Sequence, residues 1–229
     1  MRSAVLFDLD GTLVDSASDI ARALSSLRCA RGGSAISAAE VRPLVSLGAN
    51  ILLERVLGPF ATEPSNDLVE FRAILGGLSA DPTTVYRGAA EALETLVADG
   101  HVLAIVTNKP EALSRSLLTQ LGLADRFATI VGGDTAGRAK PAPEPLLKAL
   151  EVIGMPASHA VFVGDSPVDA QAAQACAMPF VLYEGGYGAH DCITETVHAR
   201  FGDFGILPMI ITDLVSQPNF VVAGVKLTG

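Results

Sequence analysis

After residue 85 the sequence alternates between short apolar runs that stop at glycine or polar residues and longer segments with helical spacing. Val102–Val106 lies between Gly100 and Thr107-Asn108, and Ile130-Val131 closes on Gly132-Gly133. Val161–Val163 closes on Gly164, and Phe180–Tyr183 on Gly185-Gly186. An earlier run, Ser3–Leu9, ends in acids and reads the same way. Short, continuously apolar runs are the mark of strands buried on both faces. Between them, Ala89–Asp99 places Leu93, Leu96 and Val97 on one face and stops at Gly100. Pro110–Leu121 and Pro143–Ile153 open with proline and stop at Gly122 and Gly154, the end signals of helices. Repeated strand–helix units of this kind predict an α/β fold: a Rossmann-like parallel sheet with helices on both faces.

Residues 15–84 interrupt that alternation. Ser16…Asp19 and Ser37…Glu40 have the spacing of capping boxes. Ile20, Leu24 and Leu27 recur at helical spacing, as do Phe71, Leu75 and Leu78 further on. The expected organisation is a discontinuous core of residues 1–14 and 85–217, with 15–84 inserted as an α-helical subdomain. Its tethers, near Val14-Asp15 and Asp81–Val85, should lie close together and act as a hinge. Residues 218–229 form a C-terminal extension, in which Phe220-Val221-Val222 reads as an edge strand or an interface.

Composition narrows the function. The chain has 229 residues and a formal charge of −9. An acidic surface argues against nucleic acid and against anionic membranes as partners. No apolar stretch approaches the ~18 residues of a membrane span, and the first run is too short and too acidic for a signal peptide. The cysteines, Cys29, Cys176 and Cys192, are odd in number and share no metal-ligand spacing, which suggests free thiols in a reducing cytosol. A cytoplasmic protein is expected. Its four scattered histidines do not suggest a zinc site.

Chemistry-bearing residues collect where the apolar runs end. Alternation along a strand sends Asp8 and Asp10 the same way, and two carboxylates so close repel unless a cation is near. Read alone, the pair is also compatible with an ordinary strand end and turn. Thr107-Asn108-Lys109 precedes a helix start, where hydroxyl and backbone N–H groups can cradle phosphate, although Thr-Asn is also a good cap. Lys140 sits in a loop stiffened by Pro141 and Pro143, and Gly164–Asp169 adds Asp165 and Asp169 at another helix start. Four loops at one end of a parallel sheet, carrying an acid pair, a hydroxyl, a lysine and a second acid pair, exceed what capping requires.

The motifs Asp8-Leu9-Asp10-Gly11-Thr12, Thr107-Asn108-Lys109, Lys140–Leu146 and Gly164–Asp169, in that order, resemble the haloacid dehalogenase superfamily and its phosphoglycolate phosphatase-like branch. The likeness covers roughly residues 3–215, and the helical insertion matches that branch's cap domain. It implies a Mg²⁺-dependent phosphatase acting on a small phosphorylated metabolite, as a monomer or homodimer. By resemblance Asp8 is the nucleophile that forms an aspartyl-phosphate, and Asp10 is the acid and then the base. Mg²⁺ is held by Asp8, Asp165 and the backbone carbonyl of Asp10, with Asp169 ordering its waters. Thr107 and Asn108 hold the phosphoryl group, and Lys140 bridges it to Asp8.

An acid two positions after the nucleophile separates phosphatases and phosphomutases of the superfamily from its dehalogenases. A β-phosphoglucomutase-type sugar phosphomutase is the rival within the enzyme class. A non-catalytic phosphoacceptor or scaffold is the rival outside it, and the intact motifs disfavour it. In the cap, Arg42–Asn50 is the expected substrate-facing segment. Arg42 reads equally as a partner for a substrate carboxylate or as a solvated charge; Arg55 and Arg72 read as surface charges. One departure is Ala177, where the family usually has glycine.

Overall fold

The computed structural model describes residues 3–193 and 196–216. Its strands are β1 (Ala4–Phe7), β2 (Val102–Val106), β3 (Phe127–Val131), β4 (Ala160–Gly164), β5 (Phe180–Tyr183) and β6 (Ala199–Phe201). They form one parallel sheet in the order β3-β2-β1-β4-β5-β6. This is the doubly wound arrangement, whose strand order reverses between β1 and β4. The fold class is therefore as expected, with β6 as an added edge. Only Phe201 of β6 is buried, so no apolar run announced it.

Alternation along the strands divides the sheet into two apolar faces. Val5 and Phe7 of β1 join Leu103, Ile105, Val161 and Val163 on one face, and Ala4 and Leu6 join Ala104, Val106 and Phe162 on the other. Helices α5 (Ala89–Ala98), α6 (Glu111–Gln120) and α9 (Leu207–Ser216) cover the first face through Leu93, Leu96, Leu118, Leu207 and Ile211. Helices α7 (Glu144–Ile153) and α8 (Pro167–Ala175) cover the second through Leu146, Leu150, Ala170 and Ala173. Each fully buried Leu or Phe stabilises the layer by about 1.5–3 kcal/mol. Together they give the strand ends a rigid frame.

Helices α1 (Ala17–Ala30), α2 (Ala38–Val45), α3 (Ala49–Leu57) and α4 (Pro64–Gly76) gather around a separate core. It contains Ile20, Leu24, Leu27, Val41, Leu53, Leu57 and Phe71. The chain leaves the sheet and returns to it side by side: Val14 and Val85 pair antiparallel, Asp15 N donates to the Thr84 carbonyl at 2.7 Å, and Tyr86 N donates to the Leu13 carbonyl at 3.0 Å.

The two expected capping boxes come out differently. Ser37 and Glu40 form one, closing the start of α2. Ser16 precedes α1 but makes no side-chain cap; its hydroxyl donates to Asp10 instead. Ala177, just past α8, has φ 50, the left-handed conformation in which glycine carries no Cβ penalty. The segment Phe220-Val221-Val222, expected as a strand, lies outside the described residues. No helix among those described is long and apolar enough to cross a membrane.

Candidate active site

The loops that follow β1, β2 and β4, with the one that follows β3, meet at the carboxyl end of the sheet, at the reversal of strand order. Open parallel sheets bind their ligands there, because the flanking loops diverge and leave a crevice. Asp8 extends the β1 ladder by donating its N–H to the Val163 carbonyl at 2.9 Å, which fixes its side chain at the mouth of the sheet. Behind it the chain turns tightly through Gly11, whose φ is +91. A Cβ on Gly11 would lie 2.6 Å from an oxygen of Asp165. The turn can therefore approach that carboxylate only as glycine.

Lys140 is the electrostatic centre. Its ammonium contacts Asp8 at 2.8 Å and Asp169 at 2.7 Å, and donates to the Val106 carbonyl at 2.8 Å. Its three N–H groups thus have three acceptors, in a place where the side chain is buried. Burial works against the charge, but Asp169 and Asp8 outweigh it and hold the ammonium up at about 12. Lys140 is therefore a fixed positive charge. Asn108 clamps its backbone from both sides: the amide donates to the Lys140 carbonyl at 3.0 Å, and Lys140 N donates back to the Asn108 oxygen at 2.8 Å.

Three acids converge on the same point. Carboxylate oxygens of Asp8, Asp165 and Asp169 lie within 4.8 Å of one another, and all three residues are buried. Asp165 accepts from the Thr12 hydroxyl at 2.8 Å and from Tyr187 N at 2.7 Å. Asp169 accepts from the Ser166 hydroxyl at 2.6 Å and from Ser166 N at 3.1 Å, closing the cap of α8. Burial pushes Asp8 up to about 7 despite the neighbouring lysine, and the charge of Asp169 adds to that rise. Asp165 is raised well above its ordinary value by burial and by the charges of Asp169 and Asp8. One lysine does not balance three buried acids. An all-oxygen set short of positive charge is what a hard divalent cation such as Mg²⁺ complements.

Asp10 faces the same cleft with different partners. Lys109 Nζ contacts its two oxygens at 2.8 and 3.0 Å, and the Ser16 hydroxyl donates to it at 2.5 Å. Thr107 is buried beside them, its hydroxyl accepting from Lys109 N at 3.2 Å. The cleft is lined by Asp8, Asp10, Thr107, Asn108, Lys109, Lys140 and Asp169 from the sheet side. Ile20, Val45, Ser46, Gly48, Ala49, Leu52, Phe71, Arg72 and Leu75 line it from the inserted helices.

The residue-level expectations are placed as follows. Asp8, Asp10, Thr107, Asn108, Lys140, Asp165 and Asp169 come together, and Val45–Ala49 of the expected substrate-facing segment borders the cleft through four of its residues. Arg42 is elsewhere: it pairs with Asp15 at the chain crossing, and its guanidinium lies 6.0 Å from the Tyr187 ring centroid. Arg72, read from sequence as a surface charge, lines the cleft. Lys109 and Ser16 were visible in motifs but carried no assignment toward Asp10. The glycine-rich segment Gly185–Gly188 has a positioning task. A Cβ on Gly186 would sit 2.1 Å from that of Asp165, so glycine lets Tyr187 N reach the carboxylate. The Tyr187 hydroxyl, in turn, donates to Asp15 at 2.8 Å.

The haloacid dehalogenase-like hydrolase family matches residues 5–183, most of the chain and every strand end just described. The chain belongs to that family. Among its relatives, a phosphoglycolate phosphatase of Xanthomonas campestris is 40% identical over 216 residues, 94% of this chain and 92% of that protein. A phosphoglycolate phosphatase of Rhodobacter capsulatus is 36% identical over 217 residues, covering 92% and 97% respectively. The crystal structure of a predicted phosphoglycolate phosphatase from Haemophilus somnus superposes with a TM-score of 0.79 at 28% identity, covering 91% of this hydrolase and 97% of that chain.

Proposed function

We propose that this hydrolase is a Mg²⁺-dependent phosphatase for a small phosphomonoester of the phosphoglycolate class, working through an aspartyl-phosphate on Asp8. The observation that carries the reading is the Asp8–Lys140–Asp169 chain of ion pairs beside Asp165 at the switch point of the sheet. The names of its relatives support the choice of ester.

An Asp8 oxygen attacks phosphorus as the ester P–O bond breaks, and Asp10 gives its proton to the departing oxygen. Asp10 then takes a proton from water, whose oxygen attacks phosphorus and releases phosphate from Asp8. Lys109 and the Ser16 hydroxyl hold Asp10 in place beside the cleft. Asp8, Asp165 and the backbone carbonyl of Asp10 would hold Mg²⁺, which supplies charge stabilisation to the phosphoryl oxygens. Thr107 orients the phosphoryl group, and Lys140 keeps a positive charge beside Asp8. Such fixed charges matter because uncatalysed monoester hydrolysis is so slow that acceleration can approach ~10²¹-fold, while proton transfer contributes only about 10²–10⁴-fold.

The test is a phosphate-release screen with Mg²⁺ over small phosphorylated acids, sugars and nucleotides, ranked by kcat/KM. A short phosphorylated acid should lead. Isomerised sugar phosphate without phosphate release would favour the mutase reading, and no multiple turnover of any ester would leave a non-catalytic phosphoacceptor.

Cation binding should also show in stability. Without the cation, burial holds Asp8 near 7, whereas in the unfolded chain it titrates near 3.8. Between those values the folded protein carries the extra proton, so its stability falls as pH rises. Mg²⁺ competes with that proton and should raise the melting temperature far more at pH 7.5 than at pH 5. At a hundredfold excess over its dissociation constant the gain is about 2.7 kcal/mol. Thermal melts with and without Mg²⁺ at both pH values check this; an equal shift at the two would contradict the assignment of the acids.

A further inference from the structure

Among the described residues, three cationic side chains line the cleft: Lys140, Lys109 and Arg72. Lys140 is committed to Asp8, Asp169 and a carbonyl, and Lys109 to both oxygens of Asp10. Arg72 differs. Among the described residues it makes no ion pair, and its Nε is buried without a hydrogen-bond partner. Leaving a buried donor unsatisfied is costly, so such a group either has a structural explanation or is reserved for a ligand. The inserted helices contribute mostly apolar side chains to the same cleft, among them Phe71, Leu75, Leu52 and Val45, with Ser46 as a polar exception.

Arg72 sits on α4, one residue after Phe71, which anchors that helix in the core of the inserted bundle. Its backbone is therefore held by packing, while its guanidinium makes no ion pair among the described residues. The phosphoryl-handling groups all come from the sheet side, so Arg72 meets whatever part of the substrate extends toward the inserted helices. A guanidinium selects a planar anion, which it can grip through two parallel N–H bonds.

We infer that Arg72 is the specificity residue that binds a carboxylate on the leaving group, making the substrate a phosphorylated hydroxy acid rather than a phosphorylated sugar or alcohol. This rests on the phosphatase reading above and adds to it the residue that selects the acid. It also moves the carboxylate partner from Arg42, which is occupied by Asp15 outside the cleft lining.

The experiment compares phosphoglycolate with 2-hydroxyethyl phosphate, in which an uncharged CH₂OH replaces the carboxylate. Both are assayed with Mg²⁺ on the full chain, the wild type beside Arg72→Met, Arg72→Lys and Arg42→Met. The wild type should prefer the acid, and Arg72→Met should reduce that preference on the order of 100-fold in the ratio of kcat/KM values. Arg72→Lys should recover part of the preference, since it restores charge without the planar fork, and Arg42→Met should keep it. A melting temperature for each variant confirms that it is folded. Wild-type enzyme that cleaves both esters equally, or an Arg72→Met ratio equal to the wild-type one, overturns the inference and leaves the phosphatase reading standing. Wild-type enzyme that releases phosphate from neither ester, nor from p-nitrophenyl phosphate, removes the phosphatase reading itself.

Discussion

Asp8→Asn is expected to abolish turnover, lowering kcat/KM on the order of 10⁴-fold or more, as removal of a nucleophile does elsewhere. The substitution is isosteric and should leave the fold in place, because Lys140 keeps Asp169 and the Val106 carbonyl as partners. Asparagine also carries no charge at a site where burial already holds the carboxyl up at about 7. The decisive measurement is a rapid acid quench with labelled substrate. Wild-type protein should carry covalent phosphate on Asp8 during turnover, and the variant none. Full activity in Asp8→Asn would show that another group attacks phosphorus.

Lys140→Met should damage both activity and stability, and the second effect separates it from Asp8→Asn. Removing the ammonium leaves Asp8 and Asp169 buried without their cation, next to Asp165. Breaking a buried ion pair from one side typically costs about 3–5 kcal/mol, more than a surface lysine ever contributes. For a chain of this size that is roughly a 10 °C fall in melting temperature. The deficit should grow with pH, since the stranded Asp8, which burial already holds up at about 7, can escape charge by binding a proton at pH 5 but not at pH 8. Adding Asp8→Asn to Lys140→Met should return part of the lost stability by removing one of the stranded acids. A deficit that does not change with pH, or no recovery in the double variant, would mean that Lys140 acts by packing and not by charge.

The sheet was readable in the sequence because strands buried on both faces must be apolar throughout. β1, β2, β4 and β5 obey that rule, whereas β6 buries little beyond Phe201 and gives no such signal. The acids and Lys140 were readable because they sit at the ends of those strands, where position in the chain and position in space coincide. Lys109, Tyr187 and Arg72 were harder. Their assignments depend on contacts across the fold: Lys109 reaches Asp10, and Tyr187 joins Asp165 to Asp15. Arg72 is distinguished by lining the cleft with a buried Nε that has no partner among the described residues, which one-dimensional spacing cannot convey. Ser16 shows the opposite error. Its spacing is that of a cap, yet its hydroxyl donates to the Asp10 carboxylate and its oxygen accepts from no backbone N–H of α1.

The hydrogen-bonded pairing of Val14 with Val85 gives this architecture a single doorway. Everything between those residues leaves and returns without shifting the register of any strand. Descendants of such a chain are free to lengthen, trim or replace the intervening helices while the phosphoryl-transfer apparatus stays unaltered. Substrate choice and chemistry can then drift at different evolutionary rates. Grafting the helices of one relative onto the sheet of another at this doorway should carry ester preference across with them.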